Sequence, residues 1–392
     1  MTQSIAANGR PANAIVPSAA GQNGNARVSA IPFRKATLKK RTLLTSYQAG
    51  AALGGRNSWE IDSKGYLGGL RLLVSGQETT STADPVVTAN GDWPWNLFQR
   101  INLRDSSGGM LVNLKGYSAY LAERYFKPIR DPAQSGGISQ TVWNVGLSPV
   151  ATNEIRFHVD VEVETGTRDN LGLVPNQNAT FRYQLTVDFE QEVNLVGTPA
   201  NSTWALQVQP SYRYYSVPSP VRPDNVPQQN VPPFVGVVRQ QFDETQVVPS
   251  LAENRYNLAV GRVIRNIVLV TRNASGIRVN GISRVRFMYG DDTVLFEATE
   301  QDIKTEMIQQ YGTGQGAIPL GVYVLPFSWD NDAYVGADYR RDLVDTRRLS
   351  QCYMLITTKT PTTFENEAVA GSAPTTIDIL HDELIVPARM SI

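Results

Sequence analysis

The sequence predicts an all-β chain built as two antiparallel β-sandwiches in tandem. Three observations carry that expectation. Short segments alternate apolar and polar residues with a period of two, prolines crowd one stretch near the middle, and the segments on either side of that stretch follow the same order.

Size and composition set the frame. At 392 residues the chain is too long for one ordinary core, which favours about two domains. Hydrophobic residues at 41%, charged residues at 18%, 31 Gly and 23 Pro suit a turn-rich globular protein and exclude a coiled coil or wholesale disorder. Lys+Arg and Asp+Glu both total 36, so the chain as a whole is not an electrostatic nucleic-acid binder. A single cysteine, Cys352, makes neither an intrachain disulfide nor a thiolate metal site alone, which fits assembly in a reducing cytoplasm. Met1-Thr-Gln-Ser lacks the order of a signal peptide, and no apolar run approaches membrane-spanning length. Without a secretion signal, the sequons at Asn178, Asn201 and Asn273 are taken as chance.

Residues 1–45 read as a basic, low-complexity arm rich in Ala, Asn, Gly, Ser and Gln. No Asp or Glu precedes Glu60, and Arg34, Lys35, Lys39, Lys40 and Arg41 fall within eight residues. Residues 46–217 are expected to form the first sandwich. Residues 218–233 contain six prolines, at 218, 220, 223, 227, 232 and 233, and form a semi-rigid linker; residues 234–392 form the second sandwich.

Strands are legible by alternation. Phe157, Val159, Val161 and Val163 share one face, with His158, Asp160, Glu162 and Glu164 on the other. Phe181–Asp188 repeats the pattern, and further strands are predicted at Leu67–Val74, Leu97–Leu103, Leu206–Tyr215, Ile264–Val270, Ile282–Met288, Tyr353–Thr358 and Thr376–Val386. Two helices are predicted. Tyr117, Leu121 and Tyr125 form a helical stripe before Pro128, and Ile303, Met307 and Tyr311 form another between the N-cap Thr299, with Asp302 three residues on, and Gly312.

The two halves repeat one another in order. An apolar strand (Tyr66–Val74; Val263–Val270) precedes a basic-apolar strand and turn (Gln99–Gly108; Ser283–Asp291), and then the one convincing helix. A strand (around Phe157; Val322–Phe327), an Arg-Asp loop (Arg168–Leu171; Arg341–Val344) and an aromatic-centred strand (Tyr183; Tyr353) follow. Each half closes on a strand ending in proline (Tyr212–Pro218; Asp382–Pro387). Such an order implies a structural duplication, with about eight strands per half as in a jelly roll.

Trp93-Pro-Trp-Asn-Leu-Phe-Gln-Arg-Ile-Asn-Leu-Arg104, Gly108-Gly, Leu114-Lys-Gly-Tyr117 and Arg168–Asn178 resemble the first barrel of double jelly-roll major capsid proteins of tectivirus-like phages and the adenovirus lineage. Asp342–Leu349 is similar to the corresponding part of the second barrel. The resemblance covers most of residues 45–392. It implies two tandem jelly-roll sandwiches, each with one inserted helix, and a homotrimeric, pseudo-hexagonal capsomer tiling an icosahedral shell. The implied partners are further copies, penton and minor capsid proteins, and lipids of an internal membrane. The implied location is the virion capsid, assembled in the host cytoplasm. The chain lacks a long insertion that would build a tower.

Enzymatic chemistry finds little support. His158 and His381 are the only histidines. His158, Asp160 and Glu162 have a spacing that suits a metal, but the plainer reading is a solvated outer face; His381-Asp382-Glu383 mixes faces. No carboxylate pair stands out for glycoside hydrolysis. Gly312-Thr-Gly-Gln-Gly316 ends a helix and lacks a following Lys-Ser/Thr, so it is not a phosphate loop. Trp93, Trp95 and Phe98 suit a plug at a barrel end or an interface better than a sugar platform. No catalytic residue, metal, cofactor or specific small-molecule ligand is expected. The basic cluster Arg34, Lys35, Lys39, Lys40 and Arg41 is the one charged feature that stands out, suited to anionic lipid or genome phosphates at about 1 kcal/mol per cation. The alternatives are a secreted carbohydrate-binding or carbohydrate-active two-sandwich protein, and a minor or vertex coat protein.

Overall fold

A computed structural model of the chain describes residues 30–49, 53–80, 91–105, 107–126, 142–144, 152–164, 173–180, 182–195, 202–232, 235–249, 251–290, 293–311, 318–327, 343–361 and 373–385. Residues 1–29 of the arm, the loop at 168–171, Arg341-Asp342, Pro128, Pro387 and the glycine segment 312–316 lie outside them.

The first half begins with a short helix α1 (Phe33–Ala36), then β1 (Lys39–Leu43), β2 (Tyr47–Ala49), β3 (Arg56–Ile61) and β4 (Tyr66–Thr80). β5 (Phe98–Arg104) and β6 (Met110–Leu114) form a hairpin that leads into α2 (Gly116–Phe126). β7 (Val142–Asn144), β8 (Thr152–Glu162), β9 (Val174–Pro175), β10 (Tyr183–Phe189), α3 (Glu192–Leu195) and β11 (Ser202–Tyr215) complete the half. One sheet has the order β1-β11-β4-β8-β7, with β2 also on β11 and β9 on β4; the facing strands run β6-β5-β10-β3.

The second half comprises β12 (Val238–Val247), β13 (Glu253–Asn257), β14 (Val263–Arg272), β15 (Ile282–Tyr289), β16 (Thr293–Thr299), α4 (Glu300–Tyr311), β17 (Val322–Pro326), β18 (Val344–Asp345), β19 (Cys352–Thr358) and β20 (Thr376–Ile385). Its sheets run β12-β20-β14-β17, with β18 on β14, and β13-β19-β15-β16.

The eight principal strands of each half have the same connectivity, while β2 and β7 have no counterpart among the described residues of the second half. β1, β11, β4 and β8 correspond to β12, β20, β14 and β17, and β6, β5, β10 and β3 to β16, β15, β19 and β13. The irregularities coincide too. The β4–β11 ladder skips Gly68, and the β14–β20 ladder skips Arg265, each one residue past a contact with β9 or β18. The β5–β6 and β15–β16 hairpins skip Leu111 and Leu295, respectively. Bulges fix register, so these coincidences align the halves residue by residue.

Alternation produces the cores. Phe157, Val159 and Val161 are at most 2% exposed and face the interior with Leu70, Leu72 and Val74. Each fully buried side chain of this size contributes about 1.5–3 kcal/mol of transfer free energy. In the second sandwich Phe287 and Phe327 meet at 5.0 Å. Trp93, Trp95 and Phe98 are buried, as a plug requires, and Trp95 stacks on Tyr120 of α2 at 3.6 Å. α2 starts at Gly116 for a steric reason, since a Cβ there would lie 1.9 Å from the Trp95 carbonyl oxygen. α4 opens with a reciprocal cap: Asp302 N–H donates to Thr299 Oγ1 at 3.3 Å, and Thr299 N–H donates to Asp302 Oδ2 at 3.1 Å.

Two expectations need correction. The polar face of β8 is not solvated: His158 and Asp160 are buried beneath α2. Alternation reports which residues avoid the core, not whether a helix covers them. The arm also does not extend as a tail to residue 45, because Lys39–Leu43 pairs with Ser211–Tyr215 as β1. Its Lys-Lys-Arg-Thr-Leu sequence hides the strand because an edge position gains main-chain hydrogen bonds while exposing its side chains.

Candidate functional site at the joint between the sandwiches

The feature with the most concentrated chemistry is the seam where the halves meet. β6 of the first half runs parallel to β12 of the second, with Val112 opposite Gln241 and Asn113 opposite Phe242. One nine-stranded sheet therefore passes through both sandwiches.

Charged side chains fasten the seam, beside an apolar core that is continuous through both halves. Asp243 of β12 accepts the Lys115 N–H at 3.1 Å and the Ser118 hydroxyl at 2.5 Å, and it pairs with the Arg100 guanidinium. Lys115 Nζ reaches Asp378 of β20 at 2.7 Å, and Arg272 pairs with both Asp378 (2.8 Å) and Asp92 (2.6 Å). Deeper in the second half, Asp382 is 0% exposed and is held by Arg239 Nε at 2.7 Å, Arg265 Nη1 at 3.3 Å and Asn266 Nδ2 at 3.0 Å. Arg239 also donates to the Glu164 carbonyl of the first half at 3.1 Å. Burial alone would raise the Asp382 carboxyl, but Arg239 and Arg265 outweigh it and hold the group below the usual carboxylate range. Asp378 is likewise held low against its burial by Lys115 and Arg272.

The spaced set His158, Asp160 and Glu162 is not brought together as a unit. His158 and Asp160 meet Glu123 of α2, their ligand atoms lying within 4.8 Å of one another, whereas Glu162 turns to Arg213 at 2.5 Å. Arg71 grips both Asp160 oxygens at 2.5 and 2.6 Å, and Glu123 accepts the Asp160 N–H at 2.8 Å. That pattern neutralises the carboxylates structurally. His381 stacks on Phe242 at 4.4 Å, with Glu383 at 3.2 Å and Glu244 at 3.5 Å; Arg262 binds Glu383 at 2.9 Å. An open groove of about 470 Å³ is lined by Tyr66, Asp105, Pro175, Tyr183 and Val231 among others, but Asp105 is occupied by the Ser107 and Gly109 N–H groups of its own turn.

The basic cluster divides in two. Arg34 and Lys35 lie on α1, which Phe33 anchors against Tyr66 at 5.4 Å. Lys39, Lys40 and Arg41 lie on β1, and Lys39 pairs with Glu164 at 3.1 Å.

No protein-family model matches the chain, and no curated protein matches it. Solved structures do match. The crystal structure of the STIV MCP superposes with a TM-score of 0.64 at 12% identity, over 90% of this chain and 100% of that one. The PBCV-1 virus capsid gives 0.56 at 12% identity, over 89% and 93%. The major capsid protein P2 from bacteriophage PM2 gives 0.50 at 11% identity, over 91% and 100%. The chain has the double jelly-roll fold.

Within this double jelly roll, sequence reasoning missed Arg100, Arg239, Asp243 and Asp378, the residues that bind the rolls to each other. The available signal was three acids, Asp378, Asp382 and Glu383, with His381, inside a closing strand whose other residues are mostly apolar. His381 supplies a pH test. Burial lowers its pKa, but Glu244 and Glu383 more than compensate, so the folded value is raised. Its contribution is therefore fully present below the unfolded value of about 6.5 and is lost as pH rises through the folded value. Urea midpoints should fall across that window in the native chain, and His381→Phe should flatten the slope.

Proposed function

We propose that this chain is a major capsid protein whose work is done by shape. Two like sandwiches joined edge to edge give a homotrimer a roughly sixfold outline, so one polypeptide can tile an icosahedral face. The observation that carries the reading is the shared connectivity of the eight principal strands of each half, with coincident bulges, together with the likeness in fold to solved capsid proteins. The reading assigns no catalytic residue. It places further copies, and penton and minor proteins, around each trimer. Arg34 and Lys35 on α1 are assigned to an anionic inner layer, either headgroups of an internal membrane or genome phosphates, which share their chemistry.

Mass photometry of the purified chain should show a trimer, and electron microscopy of the concentrated protein should show hexagonal capsomers. A monomer at every concentration would overturn the proposal. Arg34→Glu with Lys35→Glu should leave the trimer intact while weakening flotation with anionic vesicles or salt-sensitive binding to nucleic acid. Unchanged binding to both would remove the inner-layer role.

A further inference from the structure

The alignment of the halves leaves two strand edges without the partner that their counterparts have. β6 meets β12 within the chain, whereas its counterpart β16 pairs only with β15, and the outer edge of β1, the counterpart of β12, pairs with nothing among the described residues. We propose that β16 of one copy runs parallel to β1 of the next, repeating between chains the joint already made within one. The inference rests on the self-assembling reading above and names the surfaces that reading would use.

The shared bulges fix the register. Val112 and Asn113 correspond to Phe296 and Glu297, and Gln241 and Phe242 to Arg41 and Thr42. Arg41 should therefore lie opposite Phe296, and Thr42 opposite Glu297. A joint of this kind is head-to-tail, using a different surface on each copy, and such interfaces close into rings when the rotation permits.

Three properties of the edges fit a second copy. Both expose large apolar side chains: Leu38 at 63% and Leu43 at 66% beside β1, and Val294 at 44% and Leu295 at 48% on β16. Exposed apolar side chains gathered at an unpaired strand edge favour cover by another surface. The charges are also complementary, with Lys39, Lys40 and Arg41 on β1 and Glu297, Asp302 and Glu306 on β16 and α4.

The third property concerns one pair. Ala122 of α2 and Gln241 of β12 line the same crevice at the intrachain joint. Both helices start at equivalent positions, so the counterparts of these residues are Glu306 and Arg41. Each is poorly served within its own chain. Arg41 is exposed, yet desolvation by its neighbours and the positive fields of Arg71 and Arg213 lower its pKa, with Asp160 only partly offsetting them. Partial burial and the neighbouring Asp302 raise Glu306, whose Oε2 is buried and has no hydrogen-bond partner among the described residues. Brought together between copies, each supplies the countercharge the other lacks.

Charge exchange tests the pairing. Arg41→Glu and Glu306→Arg should each weaken self-association by about a hundredfold, as like-charge juxtaposition does at an interface, and the two together should restore it. Thermal unfolding of each variant shows whether the subunit remains folded. Arg41→Glu also relieves repulsion within the monomer, so a folded monomer is the expected product. Register is tested by Thr42→Cys with Glu297→Cys, which diamide should link into covalent trimers; the displaced pair Thr42→Cys with Leu295→Cys should remain unlinked. Cys352 is 1% exposed and should not interfere. A native trimer that ignores both charge reversals and gives no cross-link would overturn this interface while leaving the trimer standing. A chain that stays monomeric would overturn both.

Discussion

Asp382→Ala should cost the fold about 3–5 kcal/mol, because it strands buried cations rather than merely deleting a contact. Arg239 and Arg265 are both 2% exposed and both point at this carboxylate, so neither can turn to water when it is gone. Guanidinium titrations of native and variant chains measure the loss directly, and a change below about 1 kcal/mol would show that the cluster is rehydrated. The same group sets an acid limit. Its folded pKa is depressed, so its stabilisation is present above the unfolded value of about 3.9 and disappears as pH falls through the lower folded value. This contribution to the fold of the chain should therefore persist in mild acid and be lost only below about pH 4.

Asp243→Ala should cost about 3 kcal/mol and should act on the joint rather than on either core. It removes the acceptor for the Lys115 N–H, the Ser118 hydroxyl and the Arg100 guanidinium, all supplied by the first sandwich to a strand of the second. Arg100 keeps 30% of its side chain exposed and can rehydrate, which holds the expected loss below that at Asp382. The diagnostic readout is cooperativity. The native chain should unfold in one transition, and the variant should broaden into two as the sandwiches part. A single sharp transition at the native midpoint would mean that the parallel strand pairing alone holds the halves together.

The seam explains how a duplicated chain can hold its halves in one orientation, as the proposed role of a tile requires. A linker alone would leave the sandwiches free to rotate, since interfaces between domains are small and polar by default. Here a continuous sheet and a ladder of buried ion pairs fix their orientation, at the cost of desolvating several charges. Such pairs contribute little net stability compared with apolar packing, but they penalise any misaligned arrangement severely. Fixed orientation is what a repeating assembly requires.

Periodicity in the sequence determined the fold class, the duplication, both principal helices and the cap at Thr299, because each of these follows from local propensity and from which residues avoid water. The residue pattern alone marks the buried face of Phe157–Val163 and the capping role of Asp302. Tertiary structure alone decided the rest. β12 carries Arg239, Gln241 and Asp243 on a buried face, so its composition resembles a surface loop; partners from distant segments, Asp382 and the Glu164 carbonyl for Arg239 and Arg100, Lys115 and Ser118 for Asp243, make that burial tolerable. β1 was hidden for the converse reason, an exposed strand held by main-chain hydrogen bonds to β11 that side-chain pattern does not record. Apolar burial leaves a mark on one segment at a time. Charge pairing and edge pairing are properties of two segments, and become visible only when the chain brings both together.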